Sequence, residues 1–213
     1  MASMGSNQKI FAGLFYMDDL ESDVQLLSEQ VSSSSQGWDG IHAVSVGNEW
    51  INNGEYTVDE VSTAVSSVRK MLTADGYSGY VVTVDVWVQY EDNTKLCDIS
   101  DFIAVNCHPY WDGGVQPGDA GTWLQTQMAN LQSVCGGKDI LITETGWRTQ
   151  GDTFGTYGVP SVANQVAAMQ SIGETVGSQV IMFTPYNDYW KDPGDFGVEQ
   201  YWGYLGDDPD ATT

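Results

Sequence analysis

Two glutamates stand where an isolated carboxylate is expensive to place. Glu49 follows the run Val44-Ser45-Val46-Gly47-Asn48, and Glu144 follows Ile140-Leu141-Ile142-Thr143. A carboxylate costs free energy to bury without a partner, so an acid at the mouth of an apolar strand needs a reason. A helix cap or a loop contact would account for either one alone. Here both occur, each with a tryptophan within three residues, Trp50 and Trp147. Two carboxyls facing one cleft suit cleavage of a glycosidic bond. One protonates the leaving oxygen, and the other attacks the anomeric carbon or activates water. A separation of about 5–5.5 Å gives retention and about 6.5–9.5 Å gives inversion. Trp50, Tyr110, Trp111, Trp147, Tyr186, Tyr189 and Trp190 all lie just past apolar runs. Flat rings stack on the C–H faces of sugars while their N–H and O–H groups bond hydroxyls. About half of these rings are expected to pack beneath loops instead, since large aromatics are mostly buried.

The elements that must position these residues alternate. Six nearly continuous apolar or β-branched runs read as buried parallel strands: residues 9–17, 41–46, 80–88, 102–107, 139–143 and 179–184. Amphipathic stretches separate them. Residues 19–32 place Leu20, Val24, Leu27 and Val31 at helical spacing, with Glu21 and Asp23 in the first turn where the helix dipole favours acids. Thr57 and Glu60 form a capping box ahead of Val61, Ala64, Val65, Val68 and Leu72. Residues 120–134 carry Leu124, Met128 and Leu131, and residues 161–176 carry Val162, Val166, Met169 and Ile172. Strict β-α alternation implies a parallel sheet with helices outside it. Polar and aromatic residues collecting at strand C-terminal ends point to a barrel with its site on that face. The fold class expected is α/β, of the TIM (β/α)8-barrel type. A closed barrel has eight strands and typically about 250 residues, so this one is expected to be incomplete, with about six βα units. No strand is followed by G-x-G-x-x-G, which weakens a dinucleotide-binding reading. Residues 1–8 read as an expression leader, 9–205 as a single catalytic domain and 206–213 as a mobile acidic tail.

Composition narrows the partners. The 213 residues include 7 Lys plus Arg and 29 Asp plus Glu, a formal net charge of −22. Seven cations are too few for the counterion release that nucleic-acid binding requires. The chain is 41% hydrophobic and 12% aromatic, enough for a core despite its acidity. No apolar run reaches the 18 or so residues of a membrane span. With only His42 and His108, and no H-x-x-x-H spacing, neither metal nor organic cofactor is expected. Of three cysteines, Cys107 in an apolar run is expected to be a buried thiol. Cys97 and Cys135 either pair with each other or, the number being odd, leave a partner outside the chain. Low lysine, many aromatics and an acidic surface fit a secreted or cell-wall enzyme.

Residues 44–49 and 140–147, the latter reading Ile-Leu-Ile-Thr-Glu-Thr-Gly-Trp, resemble the two signature segments of glycoside hydrolase family 17, most of all its fungal cell-wall branch of β-1,3-glucanases and β-1,3-glucanosyltransferases. Asp85, residues 105–108, residues 183–188, residues 151–153 and residues 199–203 also resemble that branch, and the likeness runs from about Lys9 to Gly203. The resemblance implies a retaining (β/α)8 enzyme acting on β-1,3-glucan or laminari-oligosaccharides. Glu49 would be the general acid/base and Glu144 the nucleophile. Asn48 would bond the sugar 2-hydroxyl, and His108 or Tyr110 would orient the nucleophile. Tyr189, Trp190 and Lys191 would form acceptor subsites, where capture by sugar rather than water gives transfer. Asp85, Trp147, Tyr186 and Asn187 complete the candidate substrate-binding set. An ionised nucleophile needs hydrogen-bond donors around Glu144, and a protonated acid needs desolvation or negative charge near Glu49.

Two features depart from the family. Arg148 stands where the signature usually has proline, which would bring a cation near the nucleophile. The first two strands and helices of the family pattern have no counterpart before Lys9, which leaves apolar sheet edges. A truncated form, a homodimer covering those edges and an open barrel are all consistent with that. A carbohydrate-binding or catalytically impaired remnant that keeps the aromatic cleft is the alternative function.

Overall fold

The structure, a computed structural model, describes residues 8–210. The expected leader therefore lies, Gln8 apart, outside the described residues, as do positions 211–213 of the expected tail. Six strands are present: β1 (Ile10–Leu14), β2 (Ile41–Asn48), β3 (Tyr80–Val86), β4 (Ile103–Asn106), β5 (Ile140–Thr145) and β6 (Val180–Met182). Their hydrogen-bonded order is the chain order, β1-β2-β3-β4-β5-β6. The pairs β1–β2, β2–β3 and β5–β6 are parallel. The helices are α1 (Leu20–Ser33), α2 (Val58–Ala74), α3 (Trp87–Asp92), α4 (Leu96–Ile99), α5 (Ala120–Val134) and α6 (Val162–Val176). Sequential βα units with strands in chain order are the connectivity of a (β/α) barrel, as expected.

The chain divides into two compact units. Unit 1 is the chain up to Ala104 with Val134–Asp139, and unit 2 is Val105–Ser133 with the chain from Ile140 onward. In unit 1, the Thr57 side chain accepts from the Glu60 amide and the Glu60 carboxylate accepts from the Thr57 amide. This reciprocal cap satisfies amides that have no partner within the helix. Helix α2 then buries Val61, Val65, Val68 and Leu72, which form one core with Val24 and Val31 of α1 and Val44 and Val46 of β2. Each such burial contributes about 1.5–3 kcal/mol. Cys97 and Cys135 are joined by a disulfide within unit 1, and Cys107 is a buried free thiol.

Strands β1 and β6 are shorter than the runs that mark them, ending at Leu14 and Met182 rather than at 17 and 184, and two further elements differ from the sequence reading. The apolar run Tyr80 to Val88 does not continue as strand. It ends at Val86, and α3 begins at Trp87. An uninterrupted apolar run carries no period that separates a strand end from a helix start. Tyr90 fixes the change of element, its hydroxyl lying within hydrogen-bond distance of the Thr83 and Ala104 carbonyls. In unit 2, α6 does not bury Val162 and Val166, which are 66% and 59% exposed. Its buried side is Gln165, Ala168, Ile172 and Val176. Gln165 takes a core position because its amide donates to the Trp147 carbonyl at 2.8 Å, which hydropathy does not register.

Candidate active site

The two candidate catalytic glutamates belong to different units. In unit 1, Asn48 is the last residue of β2 and Glu49 opens the turn that follows. Glu49 has φ 56°, the left-handed region that side chains other than glycine rarely adopt. Such a residue costs on the order of 1–3 kcal/mol and persists only where its surroundings enforce it. Here they do. The Glu49 amide donates to the Val84 carbonyl at 2.9 Å, and the Asn53 amide donates to the Glu49 carbonyl at 2.8 Å. Gly47, at φ 79°, lets the Trp50 ring fold beneath the turn, since a Cβ there would meet that ring at 2.4 Å. Trp50 is accordingly 3% exposed.

Asp85, near the end of β3, holds the same turn from beside it. Its carboxylate accepts from the Ile51 amide at 2.9 Å, the Asn52 amide at 3.3 Å and the Val86 amide at 2.9 Å. Burial pushes the Asp85 carboxyl up to about 6, the backbone donors pull it down, and the Glu49 charge adds to the rise. Asp85 is thus buried, with its carboxylate bonded to the main chain of the turn that carries Glu49. Asn52, unmarked by any sequence signal, donates its side-chain amide to the Glu49 carboxylate at 3.3 Å.

In unit 2, Glu144 is the fifth residue of β5 and its carbonyl accepts from the Cys107 amide at 2.9 Å. Gly146, two residues on, has no side chain because the Phe183 carbonyl comes to within 2.4 Å of where its Cβ would stand. The Glu144 carboxylate is half-buried, with His108 Nε2 3.7 Å from its Oε2. That is beyond hydrogen-bond length but within ion-pair range. His108 rests on Trp202, with ring centroids 4.7 Å apart, and lies edge-on to Phe183. Tyr110 does not share this position. It is fully buried and its hydroxyl donates to the Asp152 carbonyl at 2.8 Å, so of the two it is His108 that lies beside the Glu144 carboxylate.

Arg148 is not a free cation near Glu144. It is fully buried, 2.7 Å from the Glu199 carboxylate. Its guanidinium lies 3.9 Å from the Trp111 ring centroid and 3.8 Å from that of Trp202, with the Tyr110 ring at 4.9 Å. Burial pulls the guanidinium down to about 9 against the opposing pull of Glu199 and Tyr110, so it stays charged at neutral pH. Glu199 also accepts from the Trp202 indole N–H at 3.1 Å.

The segment after β6 carries the remaining candidates. Tyr189 is 53% and Trp190 81% exposed, whereas Tyr186 is half-buried. The Tyr189 hydroxyl and the Asn187 amide both donate to Asp207, at 2.6 and 2.8 Å. Asp207 lies in the stretch expected to be a tail. Lys191 pairs with Asp188 at 2.8 Å and lies 4.5 Å from the Phe183 ring centroid. Trp147 is fully buried, its indole donating to the Val159 carbonyl, so it offers no ring face to a ligand. Of the seven rings marked in the sequence, Trp50, Tyr110 and Trp147 pack inside. Sequence reading passed over Phe15 and Tyr16, just past β1, which are 54% and 63% exposed. Among the described residues, no group of three or more His, Cys, Asp and Glu side chains is placed to hold a metal ion, and no helix is long and apolar enough to cross a membrane.

The BtgE/BtgC glycoside hydrolase domain model matches residues 1–203. The probable family 17 glucosidase SCW10 of Saccharomyces cerevisiae is 46% identical over 204 residues, which is 95% of this chain and 52% of that protein. Cell surface mannoprotein MP65 of Candida albicans is 44% identical over 199 residues, 93% of this chain and 52% of that protein. The chain thus spans about half the length of these curated relatives. An active-site mutant of Rhizomucor miehei β-1,3-glucanosyltransferase, solved with laminaritriose, superposes with a TM-score of 0.77 at 22% identity, covering 96% of this chain and 76% of that one. At that identity the likeness establishes the fold.

Proposed function

The chain belongs to the BtgE/BtgC glycoside hydrolase domain family, and from that premise we propose that it is a retaining β-1,3-glucan hydrolase or transglycosylase working by double displacement. The observation that carries the proposal is the placement of the two glutamates. Each stands at the C-terminal end of a strand or just past it, each is half-buried, and each has a supporting group beside it, the buried Asp85 for one and His108, resting on the buried Trp202, for the other. In the first step the Glu144 carboxylate attacks the anomeric carbon. The bond to the glycosidic oxygen breaks, and that oxygen takes the leaving electron pair and the Glu49 proton. In the second, Glu49 removes a proton from water or a sugar hydroxyl, which attacks the anomeric carbon and frees Glu144. Retention requires about 5–5.5 Å between the two carboxyls. His108 Nε2 lies 3.7 Å from the Glu144 carboxylate, and the amides that Asp85 gathers hold the turn that carries Glu49.

Asn48 in this reading bonds the sugar 2-hydroxyl. Tyr189, Trp190, Lys191, Tyr186 and Asn187 supply acceptor subsites, supported by the exposure of Tyr189 and Trp190. In this reading residues 9–205 are a single catalytic domain, and a second copy of the chain covers the edges of β1 and β6. A cell-wall location fits the surface mannoprotein relative and the Cys97–Cys135 disulfide, which persists in oxidising compartments. Incubation with laminarihexaose tests the function. Shorter sugars of retained anomeric configuration, or longer ones where transfer dominates, are expected. Binding without product on prolonged incubation would instead identify a carbohydrate-binding remnant.

A further inference from the structure

Arg148 has no part in the reaction as proposed, yet it occupies an unusual place. A guanidinium is costly to bury, and this one is buried completely, with Glu199 as its one ion-pair partner among the described residues. Its Nε and Nη1 have no hydrogen-bond partner. What it does have is a ring on either side, Trp111 and Trp202, each under 4 Å from the guanidinium carbon. A planar guanidinium satisfies two ring faces and one carboxylate at once, and a lysine ammonium cannot. Trp202 is therefore held at two points. The guanidinium covers its face, and Glu199, itself tied to Arg148, takes its indole N–H. Against this doubly held indole rests the His108 ring, whose Nε2 faces Glu144. The His108 Nδ1 is buried without a hydrogen-bond partner, so no bond from that nitrogen fixes the ring. Packing must do so.

We infer that Arg148 is a positioning residue for the nucleophile: by clamping Trp202 through Trp111 and Glu199, it fixes the His108 ring and thereby His108 Nε2 beside Glu144. The inference rests on the reading of Glu144 as nucleophile, but the coupling from Arg148 to His108 is measurable without turnover. The chain has two histidines, His42 and His108, and His42 lies in unit 1 and serves as an internal control. In the unmodified protein a nuclear Overhauser effect between the His108 and Trp202 rings is expected. In Arg148→Lys that effect is lost while His42 resonances stay put, and kcat on laminari-oligosaccharides falls about 10²-fold, the scale of a 1 Å misplacement, with KM little changed. Should Arg148→Lys not fold, Glu199→Gln removes the ion pair while keeping an acceptor for the indole, and the same changes are expected. Absence of the effect in the unmodified protein, its persistence in a folded variant, or its loss with kcat unchanged would each overturn the inference. An unmodified protein inactive on laminari-oligosaccharides would overturn the function proposed above and leave the histidine readout to decide the coupling.

Discussion

The Glu49 end of unit 1 and the Glu144 end of unit 2 hold their carboxylates by different means. Glu49 is held through main chain: a left-handed residue locked by amide and carbonyl bonds, with the Asp85 carboxylate gathering the amides of Ile51 and Asn52. Glu144 sits in regular strand, and its surroundings are made of side chains: a histidine on an indole and a guanidinium between rings. The first mount depends on the protonation of one buried carboxyl. The second depends on the shape of a packed aromatic box. In the reaction proposed, the acid/base and the nucleophile would thus be exposed to different perturbations.

The sharpest way to separate the two ends is to remove each carboxylate. Glu144→Gln is expected to abolish turnover of laminari-oligosaccharides, whatever the leaving group. Glu49→Gln should lose about 10²–10⁴-fold on glucan, the range for general acid–base catalysis, and recover much of that on an aryl glycoside whose leaving group needs no proton. Steady-state rates on both substrates would show it, and equal losses on both would erase the distinction in roles.

Asp85→Asn probes the main-chain mount by itself. A loss of about 10²-fold in kcat is expected as the Glu49 turn loosens. The same variant sharpens the pH argument. The folded-state value of about 6 exceeds the ordinary 3.8, so the folded protein binds the Asp85 proton more tightly than the unfolded chain. Its contribution to stability is fully present below about 4 and is lost as pH rises through 6. The stability difference between the unmodified protein and Asp85→Asn should change by at most about 3 kcal/mol across that window, in the direction of greater stability at acid pH. Denaturant titrations between pH 4 and 7 measure it, and a flat difference would contradict the assignment.

Rings in unit 2 should divide by burial. Trp147→Ala is expected to destabilise by about 3–5 kcal/mol, as for any large aromatic removed from a core. Trp190→Ala should leave stability within about 0.5 kcal/mol and raise KM about two- to tenfold, the worth of one stacking contact. Melting and kinetics on the same samples distinguish them.

Much of this was legible in the chain. The β-branched and apolar runs located all six strands, and the capping box of Thr57 and Glu60 located the start of α2. The glutamates were marked by chemistry that resists burial. What escaped was decided by contacts distant in sequence. Arg148 meets Glu199 fifty-one positions later, and Asp85 meets Ile51 thirty-four positions earlier. Neither spacing leaves a local pattern. A buried tryptophan and an exposed one look alike when both follow strands, so Trp147 and Trp190 were grouped together. Gln165 occupies a core position because its amide meets the carbonyls of Trp147, Trp202 and Gly203, and no hydropathy scale counts that.

The central claim is that Glu144 forms the covalent bond to sugar. A 2-deoxy-2-fluoro laminaribiosyl fluoride, which is slow to leave once attached, tests it directly when followed by proteolysis and mass spectrometry. A single glycosyl adduct on the peptide bearing Glu144, absent in Glu144→Gln, is the predicted result. An adduct on another carboxylate, or full turnover by Glu144→Gln, would contradict it.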